Sequence, residues 1–122
     1  HEKMSQKSRR ESDLIRKRVE QAREIQRERF KNKNISLNSE MRPKELEEFA
    51  PLSSEGEVLL QDAARKLDLS ARAYHRVIKL SRTIADFEES KPARPAGGDI
   101  KREHLLEALQ YRPRKNFFVY ET

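Results

Sequence analysis

Apolar positions in this chain recur at three- and four-residue steps in four separate stretches, the period of a helix buried along one side. From Ser12 to about Phe30 the apolar set is Leu14, Ile15, Val19, Ala22, Ile25 and Phe30, with Arg16, Lys17, Arg23, Glu24, Arg27 and Glu28 on the remaining faces. This spacing predicts a long amphipathic helix over 12–30. Residues 1–11 lack such a pattern and read as a flexible basic segment. Asn32, Asn34, Asn38 and Ser39 break the first pattern, and Pro43, suited to a first helical turn, opens a short helix through "KELEEFA".

A third helix is predicted at about 55–67, with Ser54 and Glu57 at capping-box spacing and Leu59, Leu60, Ala63, Ala64 and Leu67 as its stripe. Ser70 is the natural N-cap of the fourth, whose buried side takes Tyr74, Val77, Ile78, Ser81, Ile84, Ala85 and Glu88. The short link between these two helices makes them expected neighbours. "ESKPARPAGG", residues 89–98, has two prolines and two glycines and reads as a loop. Asp99 is the expected cap of a last helix carrying Ile100, Leu105, Leu106, Ala108 and Leu109. Beyond it, residues 113–122 form a tail whose Phe117, Phe118, Val119 and Tyr120 suit either packing on the bundle or a contact in a larger assembly.

Composition narrows the fold to one all-α domain, a small bundle of four to five helices over 12–112. With 34% hydrophobic and 39% charged residues and three glycines, the 122-residue chain suits solvated helices better than a sheet. No cysteine is present, which removes disulfides and thiolate-bound zinc and agrees with a reducing, cytoplasmic setting. No apolar run approaches the roughly 20 residues of a membrane span, so no membrane partner is expected. Because the sequence opens on His1 rather than methionine, we read it as part of a longer protein.

The net charge of +6 is uneven: residues 1–34 hold twelve Lys/Arg against six Asp/Glu, and the other 88 hold fifteen of each. Arg9, Arg10, Arg16, Lys17 and Arg23 are the candidate nucleic-acid contacts, although on charge alone a solvated helix surface is the preferred reading.

Glycines at 56, 97 and 98 write neither a phosphate loop nor a dinucleotide fingerprint. His104 and Glu107 are a single pair where a metal site needs three or four ligands, so His104 reads as a partly exposed surface histidine and no metal site is assigned. Serines 53, 54, 70 and 81 have capping or helix-surface explanations. As an independent enzyme the chain is empty. What remains is the basic set of the fourth helix, Arg72, Arg76, Lys79 and Arg82. The first three lie at i, i+4 and i+7 on one side, a solvated face first and an anion-binding edge second. Arg72 is the odd member, because a cation in a first helical turn opposes the macrodipole at a cost of a few tenths of a kcal/mol. A phosphate brought to that end would offset this cost.

The stretch "MRPKELEEFAPLSSEGEVLLQDAARKLDLSARAYHRVIKLSRTIADFEES", followed by "REHLLEALQYR", resembles the carboxy-terminal helical region of the magnesium-chelatase-like AAA+ ATPases of the YifB/ComM type. "SDLIRKRVEQAREIQRERF" resembles the helix that follows the ATPase core in those proteins, so the likeness covers about residues 8–112. "KPARPAGGD" is longer than the family's usual link, and "PRKNFFVYET" matches no family pattern. The resemblance implies a lid domain, with an upstream AAA+ core of the same protein holding the phosphate loop, ATP and Mg2+. The isolated domain is expected to hold no cofactor. By the same resemblance "SAR" supplies the sensor 2 arginine, here Arg72; Arg76, on the same basic edge, is the second candidate nucleotide contact. It also implies a homo-oligomer, expected to be a hexamer, handling DNA in uptake, recombination and branch migration. Two other readings stand beside it: a non-enzymatic helical DNA-binding or adaptor domain, and the ATPase subunit of a metal chelatase.

Overall fold

The computed structural model describes residues 2–89 and 99–111. They form five α-helices and one 3-10 turn: α1 (Glu2–Arg29), the turn Asn38–Glu40, α2 (Pro43–Phe49), α3 (Ser54–Lys66), α4 (Ala71–Glu89) and α5 (Arg102–Gln110). The fold is the expected all-α bundle. Among the described residues there is no strand, only one parallel bridge in which Ile100 N–H donates to Pro51 O at 2.8 Å and Ser53 N–H to Ile100 O at 2.9 Å. No described helix is long and apolar enough to cross a membrane. The predicted loop over 89–98 and the tail from 113 fall, save Glu89 at the end of α4, outside the described residues.

α4 is the central element, packed against α5, α1, α2 and the 3-10 turn. Its period places Val77 and Ile78 inside, where they meet Phe30, Met41, Leu46, Ala50, Leu60, Ile100, Leu105 and Ala108 in one core; Ala85, further along the same helix, is also buried. Phe30 and Phe49 meet edge to face at 5.3 Å, closing the core between α1 and α2.

α1 starts at Glu2, ten residues before the predicted Ser12. Residues 2–13 contain no Gly or Pro and several good helix formers, so extending an existing helix costs little even with no apolar face to bury. Leu14 and Ile15, expected on the buried stripe, are 62% and 57% exposed. Burial begins only at Ala22, Ile25 and Phe30, because the amino-terminal half of α1 runs clear of the bundle.

Asn32, with φ 69°, ends the path of α1, and Asp68, with φ 52°, ends that of α3; both side chains suit this left-handed region. At Asp68 the motif is complete: Leu69 N–H donates to Ala64 O at 3.0 Å and Asp68 N–H to Arg65 O at 3.4 Å. Past this sharp reversal α3 makes its larger contact with α5, while Leu60 joins Val77 and Ile78 of α4, its expected neighbour, in the core. The cap of α3 is Ser53, one residue before the predicted Ser54, and its Oγ accepts Gly56 N–H at 3.0 Å. Asp99 does not cap α5. The cap is Lys101, whose N–H is received at 3.0 Å by His104 Nδ1.

Candidate functional site

Ser70 caps α4 as the sequence predicts: its Oγ accepts Ala73 N–H at 3.0 Å and its carbonyl accepts Tyr74 N–H at 2.9 Å. That satisfies one of the four unpaired N–H groups of the first turn and leaves the rest of the turn facing outward. Arg72 is the second residue of this helix and is exposed. Among the described residues its guanidinium makes neither a hydrogen bond nor an ion pair, and no acidic residue stands in the first turn of α4 to balance it. A free guanidinium beside outward backbone N–H groups can take a phosphate or carboxylate; it cannot carry out bond chemistry alone.

Arg76, one turn on, is exposed and Lys79 half-buried. Both line a groove of about 380 Å³ whose apolar wall is Ala73, Val77, Leu80, Ala108 and Tyr111, with Ser39 and Thr83 as its hydroxyls. Arg72 does not line this groove; it stands one helical turn before Arg76 at the start of α4.

The candidate nucleic-acid residues lie elsewhere. Arg9, Arg10, Arg16, Lys17 and Arg23 are all exposed on α1, where Arg9, Arg16 and Arg23 follow one another at seven-residue steps. Arg16 has only a 3.9 Å contact to Asp13. Arg18, within this stretch, lines a hollow with Thr83, Ile84, Phe87 and Glu88, so the basic part of α1 passes the carboxy-terminal half of α4. Arg72 is at least eleven residues away along that helix, or about 16 Å. The two basic sets are separate surfaces.

Arg82 is not part of the solvated face. Its side chain is fully buried, with Nε 3.3 Å from Asp86 Oδ1 and Nη1 3.4 Å from Phe49 O. Asp86 also receives a two-pronged contact from Arg29, at 2.6 Å and 2.7 Å, and a 2.7 Å hydrogen bond from Asn38 Nδ2. Arg29 Nη1 donates to Asn38 Oδ1 at 2.8 Å, and Asn38 N–H to Gln26 Oε1 at 2.9 Å. Sequence reasoning missed this cluster, although its signal was there. Arg82 and Asp86 stand at i+4 and i+8 from Ile78, on the buried face of α4, where a charge must find a partner. What periodicity does not give is the identity of the partners, Arg29 and Asn38, 57 and 48 residues distant.

His104 also differs from expectation. It is 2% exposed, it closes the start of α5 through Nδ1, and its Nε2 lies 3.3 Å from Glu88 Oε2 of α4, not beside Glu107. Among the described residues no group of three His, Cys, Asp or Glu could hold a metal ion.

Two carboxylates are held below their ordinary range. Glu45 accepts the backbone N–H of Arg42 at 2.9 Å and its Nε at 3.2 Å, and both favour the ionised form. Asp62 is lowered by Lys66 and then Arg65, its partners on the exposed side of α3.

The site thus defines a small helical domain that offers, at the head of its central helix, an exposed arginine without a partner among the described residues. Residues 9–112 match the family described as magnesium chelatase, subunit ChlI C-terminal, and the chain belongs to that family. It is 43% identical over 101 residues to the competence protein ComM of Haemophilus influenzae, and 39% and 36% identical over the same length to the YifB proteins of Escherichia coli K12 and Salmonella typhimurium. Each match covers 83% of this chain and 18% of the relative, so the chain spans less than a fifth of the curated relatives it matches. No solved structure matches it significantly.

Proposed function

We propose that this domain is the lid of a magnesium-chelatase-like AAA+ ATPase of the ComM/YifB type and that Arg72 is its sensor 2 arginine. The observation that carries the reading is the exposure of Arg72 at the head of α4 with no partner among the described residues, while Arg29 and Arg82 are buried in ion pairs. Membership of the chelatase C-terminal family supports an upstream core in the same protein. ATP and Mg2+ would be held by that core. This chain would supply one guanidinium to the γ-phosphate, favouring the charge that develops on the transferred group, with Arg76 as a secondary contact. The parent protein would act as a homo-oligomer, a hexamer in this reading, on DNA; the name of the Haemophilus relative, a competence protein, supports that setting. The exposed basic stripe of α1 favours a second reading, in which the domain itself touches DNA through Arg9, Arg10, Arg16, Lys17 and Arg23.

The test is ATP turnover by the full-length parent protein. Arg72→Ala should lower turnover by about a hundredfold or more. Arg76→Ala and Lys79→Ala, further along the same side, should matter far less. Turnover intact in Arg72→Ala refutes the assignment.

A further inference from the structure

The cluster around Asp86 joins α1, the 3-10 turn and α4 at a single point: Asp86 and Arg82 from α4, Arg29 and Gln26 from α1, Asn38 between them, with Asn38 Nδ2 also 3.2 Å from Thr83 Oγ1. The side chains of Arg29 and Asp86 are 0% and 1% exposed. Well-packed apolar side chains of similar volume would hold such a junction as firmly, since desolvation cancels most of the attraction between buried charges. Holding power alone does not account for it. An ion pair with both prongs of a guanidinium on one carboxylate differs from apolar packing in direction, for it accepts one angle between the two helices.

That angle has leverage. Among the described residues α1 is otherwise anchored by a few buried apolar side chains, Ala22 and Ile25 and then Phe30 beyond its end. α4 carries Arg72 fourteen residues from Asp86, about 21 Å along a straight helix. Pivoting α4 by about 10° at Asp86 would displace Arg72 by about 4 Å, more than a hydrogen bond to phosphate tolerates. Errors of about 1 Å already cost enzymes large factors in rate.

We propose that Arg29 and Asp86 are positioning residues: their ion pair fixes the angle of α4 on α1 and so sets where Arg72 stands relative to the chain entering through α1. This rests on the role given above to Arg72. The group acts through α4 and touches no nucleotide.

Two experiments test it. In the chain itself, which has no native cysteine, paired spin labels at Ile15→Cys and Arg76→Cys, both exposed sites, report the angle between α1 and α4. One narrow distance distribution is expected. Arg29→Lys keeps the charge but loses the fork, and should broaden or split that distribution while the chain stays folded. An unchanged distribution overturns the proposal. In the full-length protein, Arg29→Lys should lower kcat for ATP at least about tenfold while KM moves less than about threefold. Combined with Arg72→Ala it should add no further loss, because both act on one contact. Multiplying losses, or an undiminished kcat, overturn the positioning role and leave the reading of Arg72 standing. Turnover intact in Arg72→Ala overturns both. Asp86→Asn is the harsher variant; Arg29→Lys keeps the test decisive should Asp86→Asn not fold.

Discussion

Gly56 of α3 faces Leu105 of α5 so closely that a Cβ at position 56 would lie 2.9 Å from Leu105 Cδ1, 3.0 Å from Ser53 Oγ and 3.1 Å from the backbone oxygen of Ile100. Alanine is ordinarily the better helix former by about 1 kcal/mol, and in an open helix Gly56→Ala would stabilise. Here the Leu105 methyl can swing away, but the Ile100 carbonyl belongs to the bridge that joins the start of α3 to α5. Overpacking of this kind costs about 1–3 kcal/mol, so the clash outweighs the propensity gain. Urea unfolding of Gly56→Ala should show a net loss of about 1 kcal/mol; a rise in the midpoint would contradict the packing.

The arginines of α4 should separate stability from function. Arg72→Ala removes an exposed group with no partner among the described residues and should stay within about 0.5 kcal/mol of the parent chain. Asp86→Ala strands Arg29 in the interior and should cost about 3–5 kcal/mol. Thermal unfolding of the two variants side by side checks the contrast.

Along α1 the two halves should respond in opposite ways. Ile25 is 6% exposed, and Ile25→Ala should cost about 2–5 kcal/mol. Leu14→Lys and Ile15→Lys replace side chains that are more than half exposed and should change stability by less than about 0.5 kcal/mol. A large loss in either lysine variant would mean that the amino-terminal half of α1 packs on the bundle.

Glu45 gives the pH dependence a sign. Its folded value lies below the ordinary glutamate value because Arg42 N–H and guanidinium hold the carboxylate. Its contribution is therefore complete above the unfolded value of about 4.3 and is lost as pH falls through the lower folded value. Glu45→Gln should be less stable than the parent chain at pH 7, and the gap should close toward pH 3. A constant gap over that range would show that the charge contributes nothing.

Duplex DNA, if α1 binds it, should be held weakly and without sequence preference, with affinity falling steeply as salt rises. Replacing Arg9, Arg16 and Arg23 together should flatten the salt slope by about three phosphate contacts at most. Salt-insensitive, sequence-selective binding would favour the adaptor reading over the motor.

Periodicity alone reached the helices, since a 3.6-residue repeat and local capping chemistry act between residues close in sequence: Ser70 as the cap of α4, Pro43 opening α2, and the exposed Arg72 between cap and stripe were all legible. The family was legible too, through the order of "LSARAYHR", "RTIADFE" and "HLLEALQYR". Tertiary structure decided what depends on distant neighbours. The cap at Ser53 rather than Ser54 follows from the pairing of Ser53 with Ile100, and the burial of His104 from its packing between α4 and α5. Leu14 and Ile15 repeat like core residues, yet no element among the described residues covers them, because an amphipathic pattern states which face is apolar and not whether a partner exists. Arg82 and Asp86 are legible as charges on the buried face of α4, but Arg29 and Asn38 look like two more polar residues in a chain that is 39% charged. Only folding brings Arg29 and Asn38 within hydrogen-bond reach of Asp86, because a buried charge needs its partner in space and the sequence sets no distance between the two.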